Sequence, residues 1–184
     1  MNMSVQVVSV KSELFHKVRA LRSRYIGDNP ANEESHCDAE ILRDTYSYHM
    51  AYLDGADIVG AIRITPLGHG ISFVERVVEV GTYFTHPMDS FDANRLVLDE
   101  RYRGGIHLRF FLLQAAIWLK ANTHFRYISA LCRARLAALY VDIGGHVLAS
   151  DVTWRNFHSA RDYSLIYLEL ETVFNTINGN VAHG

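Results

Sequence analysis

The 184-residue chain predicts an α/β (α+β) fold: one mixed central β-sheet flanked by helices on both sides. Three observations predict it. Short β-rich apolar runs alternate with segments whose apolar residues recur at helical spacing. Glycine and proline mark the joins between them. The composition, 49% hydrophobic and 21% charged, supports a buried core and excludes wholesale disorder. The length fits one domain, expected over residues 1–174, with a disordered tail over 175–184.

Each element has its own local reason. The valines of "SVQVVSV" (4–10) predict a first strand. With no basic segment and no small-residue cleavage site, this N-terminus reads as structure rather than as a signal peptide. Ser12 is placed to cap a helix carrying Leu14, Phe15, Val18 and Leu21 on one face, and Gly27, Asn29 and Pro30 stop it. The polar run 27–40 reads as a mobile loop or a short helical piece. "YHMAYLDGADIVGAIRITPL" (48–67) predicts a hairpin turning at Asp54-Gly55 and ending at Pro66. Residues 71–84, "ISFVERVVEVGTYF", fit a helix or a strand, and Pro87 begins a turn. A short buried strand is expected at 94–98, and Gly104-Gly105 opens a long helix, apolar nearly all round and therefore expected to be buried. Strand "FRYISALC" (125–132), helix "RARLAALYVDI" (133–143) closed by Gly144-Gly145, strand "HVLAS" (146–150) and strand "SLIYLELE" (164–171) complete the order.

The net charge of −2 is unevenly spread. Residues 95–135 hold eight basic and two acidic residues, +6, and the rest of the chain is −8. This favours a local anionic partner over general nucleic-acid affinity, unless the arginines lie on several faces. Cys37 and Cys132 form no metal or redox motif, and free thiols suit a cytoplasmic chain. Ten histidines are present, but none pair at i, i+2 or i, i+4, so no metal is expected. The longest apolar stretch, interrupted by Gln114, is too short to span a bilayer.

The run "VLDERYRGGIHLRFFLLQAAIWLKANTHFRYISALCRARLAALYVDIGG" resembles the second half of a GNAT-superfamily acyltransferase: strand, glycine loop, long helix, strand, then a helix ending Tyr-x-x-x-Gly, here Tyr140 to Gly144. The loop holds Arg103, Gly104 and Gly105, is one residue short, and has His107 where a small residue is usual. The middle of the chain is similar to acyl-homoserine-lactone synthases and N-acyl amino acid synthases. Gly60, Arg63 and Pro66 fit their hairpin end, Asp92 and Arg95 fit a Glu-x-x-Arg, and Asp44 and Tyr46 fit an acidic-x-Tyr motif whose second acid is here Ser47. Arg22 lies in "LRSRY" (21–25), which resembles the basic-aromatic end of that family's first helix.

The resemblance implies transfer of an acyl group from a phosphopantetheine thioester, on coenzyme A or an acidic acyl carrier protein, to a small amino acid-like acceptor. On the donor side it implies Val97, Leu98 and Asp99 along the strand, then Arg101, Arg103, Gly104, Gly105 and Arg133. A helix N-terminus with unpaired amides suits phosphate, and glycines allow close approach; a plain strand-to-helix turn is the alternative. The short loop beside the +6 segment leans toward a carrier-protein donor. Strand amides at 97–99 would stabilise the oxyanion. Tyr140 is the implied proton donor to the departing thiolate, or else a core tyrosine.

On the acceptor side stand Arg22, Tyr46, Arg63 and Arg95, with Asp44 engaging the ammonium and Asp92 either handling a proton or pairing with an arginine. Glu75 and Glu79 are alternative bases. Phe110, Phe111, Trp118 and the aromatics of "GTYF" line an acyl tunnel or simply fill core. An acetyl-CoA N-acetyltransferase and a non-catalytic binding module of the same fold are the rival readings.

Overall fold

The computed structural model describes residues 2–27, 38–155 and 160–181; Cys37 and most of the polar run after Gly27 lie outside them. Its contacts group the chain into two compact units, Met1–Thr65 with Ala93–Ala115 and Pro66–Asp92 with Ala116–Gly184.

In the first unit strand β1 (Met3–Val8) pairs antiparallel with β2 (Tyr48–Asp54), and β2 pairs antiparallel with β3 (Asp57–Pro66). The β2–β3 turn forms where Asp54-Gly55 predicts it, with Gly55 at φ +61°, a conformation glycine takes without cost. Helix α1 (Glu13–Arg22) starts at Ser12, whose Oγ accepts the Phe15 N–H at 3.3 Å. Its Phe15, Val18 and Leu21 bury against Val8, Ala51, Leu53, Ala61 and Val97. A π-helical turn, Ser23–Gly27, follows, and helix α2 spans Asp38–Thr45. Strand β4 (Ser90–Leu98) is longer than the 94–98 predicted; its residues 93–98 continue the order β1-β2-β3-β4. After a 3₁₀ turn at Glu100–Tyr102, helix α5 runs Gly105–Asn122. Phe111 is buried, yet Ile106 is 81% exposed, so this helix is less enclosed than its composition predicts.

The second unit holds the order β4-β5-β7-β6. Residues 90–92 of β4 pair parallel with β5 (Tyr127–Cys132), and β5 and β6 (His146–Arg155) each pair antiparallel with β7 (Ala160–Glu169). Parallel and antiparallel pairs together make the sheet mixed, and the fold is α/β. The ambiguous 71–84 stretch becomes two short helices, α3 (Phe73–Val77) and α4 (Val80–Tyr83), because Ser72 and Glu75 form a capping box that a strand cannot use. Leu67, Val74, Phe84 and Leu165 form the core there. Helix α6 (Ala134–Val141) follows β5. Helix α7 spans Leu170–Val181, where the sequence predicts a strand end and a disordered tail. Leu170, Val173 and Ile177 supply a buried stripe at i, i+3 and i+7. Among the described residues no helix is long and apolar enough to cross a membrane.

Candidate functional site

A buried network of charged side chains sits in the first unit. Arg63, only 1% exposed, lies on β3 directly opposite His49 on β2. Its Nη1 donates to Glu40 Oε1 at 2.7 Å and to Asp44 Oδ1 at 2.8 Å, and its Nε donates to Asn94 Oδ1 at 2.6 Å. One turn of α2 separates Glu40 from Asp44, so both carboxylates face the same side. Arg22, at the end of α1, donates from Nη1 to Asp44 Oδ1 at 3.2 Å and bonds His49 Nδ1 through Nη2 at 2.8 Å. Since a guanidinium only donates, His49 Nδ1 accepts, and its Nε2–H donates to the Asp44 backbone carbonyl at 2.8 Å. Glu40 also receives Arg43 Nη1 at 2.8 Å, and Arg95 Nε and Nη2 at 3.1 and 3.0 Å.

The electrostatics follow from the packing. Burial pushes the Glu40 carboxyl up, but the guanidiniums of Arg63 and Arg95 outweigh it and hold it down at about 2. Burial, and next Arg22, push His49 down to about 4, so the imidazole is neutral at pH 7. Burial likewise lowers the Arg22 guanidinium to about 10. Arg95 sits at φ +54°, a left-handed conformation costing about 1 kcal/mol in a residue with a Cβ. This local break in β4 turns its side chain toward Glu40.

Directly after β4 lies the arginine loop. Asp99 Oδ1 accepts Arg101 Nε at 3.1 Å, and Oδ2 accepts the Tyr25 hydroxyl at 3.1 Å. The bond from Arg101 is the main reason Asp99 stays below the usual carboxylate range. Arg103 donates from Nε to the Leu98 carbonyl at 3.2 Å and lies 4.7 Å over the Tyr25 ring, a cation–π contact. Both arginines remain well exposed at their ends. A Cβ at Gly104 or Gly105 would meet nothing within 4 Å, so the backbone here opens to solvent. His107 Nδ1 bonds the Tyr52 hydroxyl at 3.0 Å.

In the second unit Tyr140 is buried on α6, and burial, with Cys132 and Asp92 adding, raises its hydroxyl well above the ordinary tyrosine value. Burial also raises the Cys132 thiol to about 11. The α6 terminus is closed by Gly144 at φ +92° and by the Gly145 N–H bonding the Tyr140 carbonyl at 2.9 Å. A Cβ at Gly145 would stand 2.7 Å from that carbonyl oxygen, so the closure requires glycine. Arg133 lies 5.5 Å over the Tyr163 ring.

Several expectations change. The carboxylate that Arg95 bonds is Glu40. Asp92 accepts the Phe73 and Val74 amides at 3.0 and 3.3 Å at the start of α3. The Asp99 amide donates to the Val59 carbonyl at 2.8 Å and is spent there, which removes it as an oxyanion donor. Glu75, considered as a base, accepts the amides of Gly68, Gly70 and Ser72 at 2.7, 3.0 and 2.9 Å. Tyr46 is 62% exposed and Asp44 is held by arginines. Phe111 stacks 5.2 Å from Tyr52 as core rather than tunnel. Ser47 donates to the Arg43 carbonyl at 2.6 Å and bonds Thr65 at 2.8 Å. The sequence reading missed Glu40, Arg43, His49 and Asn94. Their signal was polar residues set among strand positions that otherwise read as buried, and the Glu40/Asp44 spacing. Among the described residues no three His, Cys, Asp or Glu are grouped to hold a metal.

No family model and no curated protein matches the chain. Solved structures do. MesI, a CoA-dependent acyl-homoserine lactone synthase, aligns with a TM-score of 0.65 at 16% identity over 97% of this chain and 95% of its own. FeeM, an N-acyl amino acid synthase from uncultured soil microbes, gives 0.67 at 11% over 94% and 93%. An acetyltransferase of the GNAT family from Streptococcus pneumoniae gives 0.62 at 14% over 91% and 99%. These likenesses show a common fold: the chain shares the fold of a GNAT-family acetyltransferase, of acyl-homoserine lactone synthases and of an N-acyl amino acid synthase.

Proposed function

We propose that this chain is an N-acyltransferase, moving an acyl group from a thioester donor, coenzyme A or acyl carrier protein, to the amine of an amino acid-like acceptor. One observation carries the reading. Strand β4 joins the buried charge cluster at Arg95 to the arginine loop at Arg101–Gly105, with only residues 96–100 between them. A polar acceptor site and a phosphate seat thus share one short run of backbone, which is the proximity that acyl transfer exploits.

In this reading the donor's phosphate rests on the first amides of α5 and on Arg101 and Arg103. Its acyl group lies along Val97 and Leu98. The acceptor amine, having released a proton to water, attacks the thioester carbonyl carbon. The C–N bond forms, the C–S bond breaks, and the sulfur leaves as thiolate. By resemblance Tyr140, a buried hydroxyl that keeps its hydrogen, is the proposed proton donor to that sulfur, and the proton that the nitrogen sheds as the amide forms restores the hydroxyl through solvent. Asp92 anchors α3, and Arg22, Asp44 and Arg63 hold the acceptor side.

The test is a donor screen with acetyl-CoA, long-chain acyl-CoA and acyl carrier protein against amino acids, read by mass spectrometry. N-acylated product from any long-chain donor supports the proposal. Acetyl transfer alone favours the acetyltransferase reading, and no thioester consumption favours a binding module. Tyr140→Phe is expected to lower kcat roughly 10²-fold without raising the donor KM.

A further inference from the structure

Arg103, Gly104, Gly105 and Ile106, the loop that opens α5, are all exposed. The Arg103 side chain reaches back to the Leu98 carbonyl and the Tyr25 ring. A Cβ at Gly104 or Gly105 would meet nothing within 4 Å, so no packing fixes the glycines. Glycine has the widest backbone freedom of any residue, and such a loop left to itself would sample many shapes. The residues on either side of it are tied to one strand. Before the loop, the Tyr102 hydroxyl donates to Asp54 Oδ2 at 2.8 Å. After it, His107 Nδ1 bonds the Tyr52 hydroxyl at 3.0 Å. Tyr52 and Asp54 stand two apart on β2, so both side chains leave the same face. The Tyr102 and His107 rings then meet edge to face at 5.1 Å, which closes the base of the loop.

The anchor on the helix side also has packing behind it. Tyr52 is 1% exposed; its ring stacks on Phe111 at 5.2 Å and lies 5.9 Å from Phe110. His107, Phe110 and Phe111 are spaced i, i+3 and i+4, one face of α5. Tyr52 therefore grips the start of that helix by ring and by hydroxyl. Burial raises the Tyr52 hydroxyl above the ordinary tyrosine value, so it keeps its hydrogen. On the other side Arg101 lies 5.6 Å over the Tyr102 ring, so that anchor places an arginine as well as backbone.

We infer that Tyr52, Asp54, Tyr102 and His107 are positioning residues for the donor: through them β2 holds the glycine loop in its binding shape before any ligand arrives. The four act through the loop amides and Arg101 rather than by touching the donor. A loop shaped in advance spares the ordering cost that a free glycine loop would meet on binding. This rests on the acyltransferase reading, which makes the loop the donor's phosphate seat.

Two measurements test it. The first is amide hydrogen exchange of the free chain, read by mass spectrometry, in wild type, Tyr52→Phe, Tyr102→Phe and His107→Leu. The loop and first turn of α5 include the Leu108 N–H, which bonds the Gly104 carbonyl at 3.2 Å. Exchange there is expected to quicken ~3–10-fold in each variant, the span of one hydrogen bond, with β3 unchanged. His107→Asn, whose amide stands where Nδ1 stood, should restore protection. Loop exchange at the wild-type rate in all three variants overturns the inference. The second is steady-state kinetics with long-chain acyl-CoA and with acyl carrier protein as donors. The same variants should raise the donor KM ~3–10-fold and leave the acceptor KM in place, and His107→Asn should again rescue. Ile177→Ala serves as the control: it loses stability in urea and keeps the wild-type donor KM. A donor KM unmoved in all three variants, or an acceptor KM that rises equally, overturns the inference. A loosened loop in a chain that consumes no thioester supports the tether to β2 and sinks the acyltransferase reading alone.

Discussion

His49 is the residue on which the acid response of the fold turns. Its imidazole has no room for a second proton while Nδ1 accepts from Arg22 and Nε2–H donates to Asp44. The unfolded chain protonates it near pH 6.5, the folded chain near 4. Between those values the unfolded state holds the extra proton, so stability is full above pH 6.5 and falls as pH drops through the window. The gap is worth on the order of 3 kcal/mol. Glu40 adds a second loss lower down, as pH falls from 4.5 to about 2. Urea midpoints at pH 7 and pH 5 should differ markedly, and His49→Gln should flatten the difference. An unchanged slope in that variant would remove His49 from the account.

At the scale of elements, two readings of the same residues are separable by substitution. Glu75 closes the capping box of α3 and collects three amides from the turn before it; burial pushes its carboxyl up, but those amides outweigh it and lower it. Glu75→Gln should cost about 1–2 kcal/mol of stability and leave kcat intact, whereas a general base would lose turnover first. Helix α7 makes a similar contrast. Ile177 is 1% exposed, so Ile177→Ala should destabilise by about 2–4 kcal/mol, measured by chemical denaturation. A disordered tail would tolerate the change without effect.

For the molecule as a whole, charge distribution matters more than charge. The net −2 conceals a +6 segment that begins at Arg95. Of its arginines, Arg95 is drawn into the buried cluster, while Arg101 and Arg103 stay exposed beside the opening of α5. Exposed charges act through solvent and are screened by salt. If the donor's phosphate sits on these arginines as proposed, its KM should rise several-fold between roughly 0.05 and 0.5 M salt, while the KM of an acceptor held by the buried cluster should change little. Steady-state kinetics across that range would show whether the two substrates respond differently.

The sequence by itself determined the elements that local chemistry controls. Ser12 capped α1, Asp54-Gly55 turned the β2–β3 hairpin, Gly104-Gly105 opened α5 and Gly144-Gly145 closed α6, each because a cap or a backbone conformation is decided within a few residues. Much of the buried charge cluster was legible as residue types, Arg22, Asp44, Arg63 and Arg95 among them. Only the tertiary structure decided who pairs with whom. Arg95 meets Glu40 across 55 positions and Arg22 meets His49 across 27, while Asp92, three residues from Arg95, turns to the amides of α3. Such pairings depend on strand register and on where a helix docks, which local sequence patterns do not encode. The charge cluster is for the same reason a property of the fold: it exists only once β2, β3, β4, α1 and α2 have brought those side chains to one place.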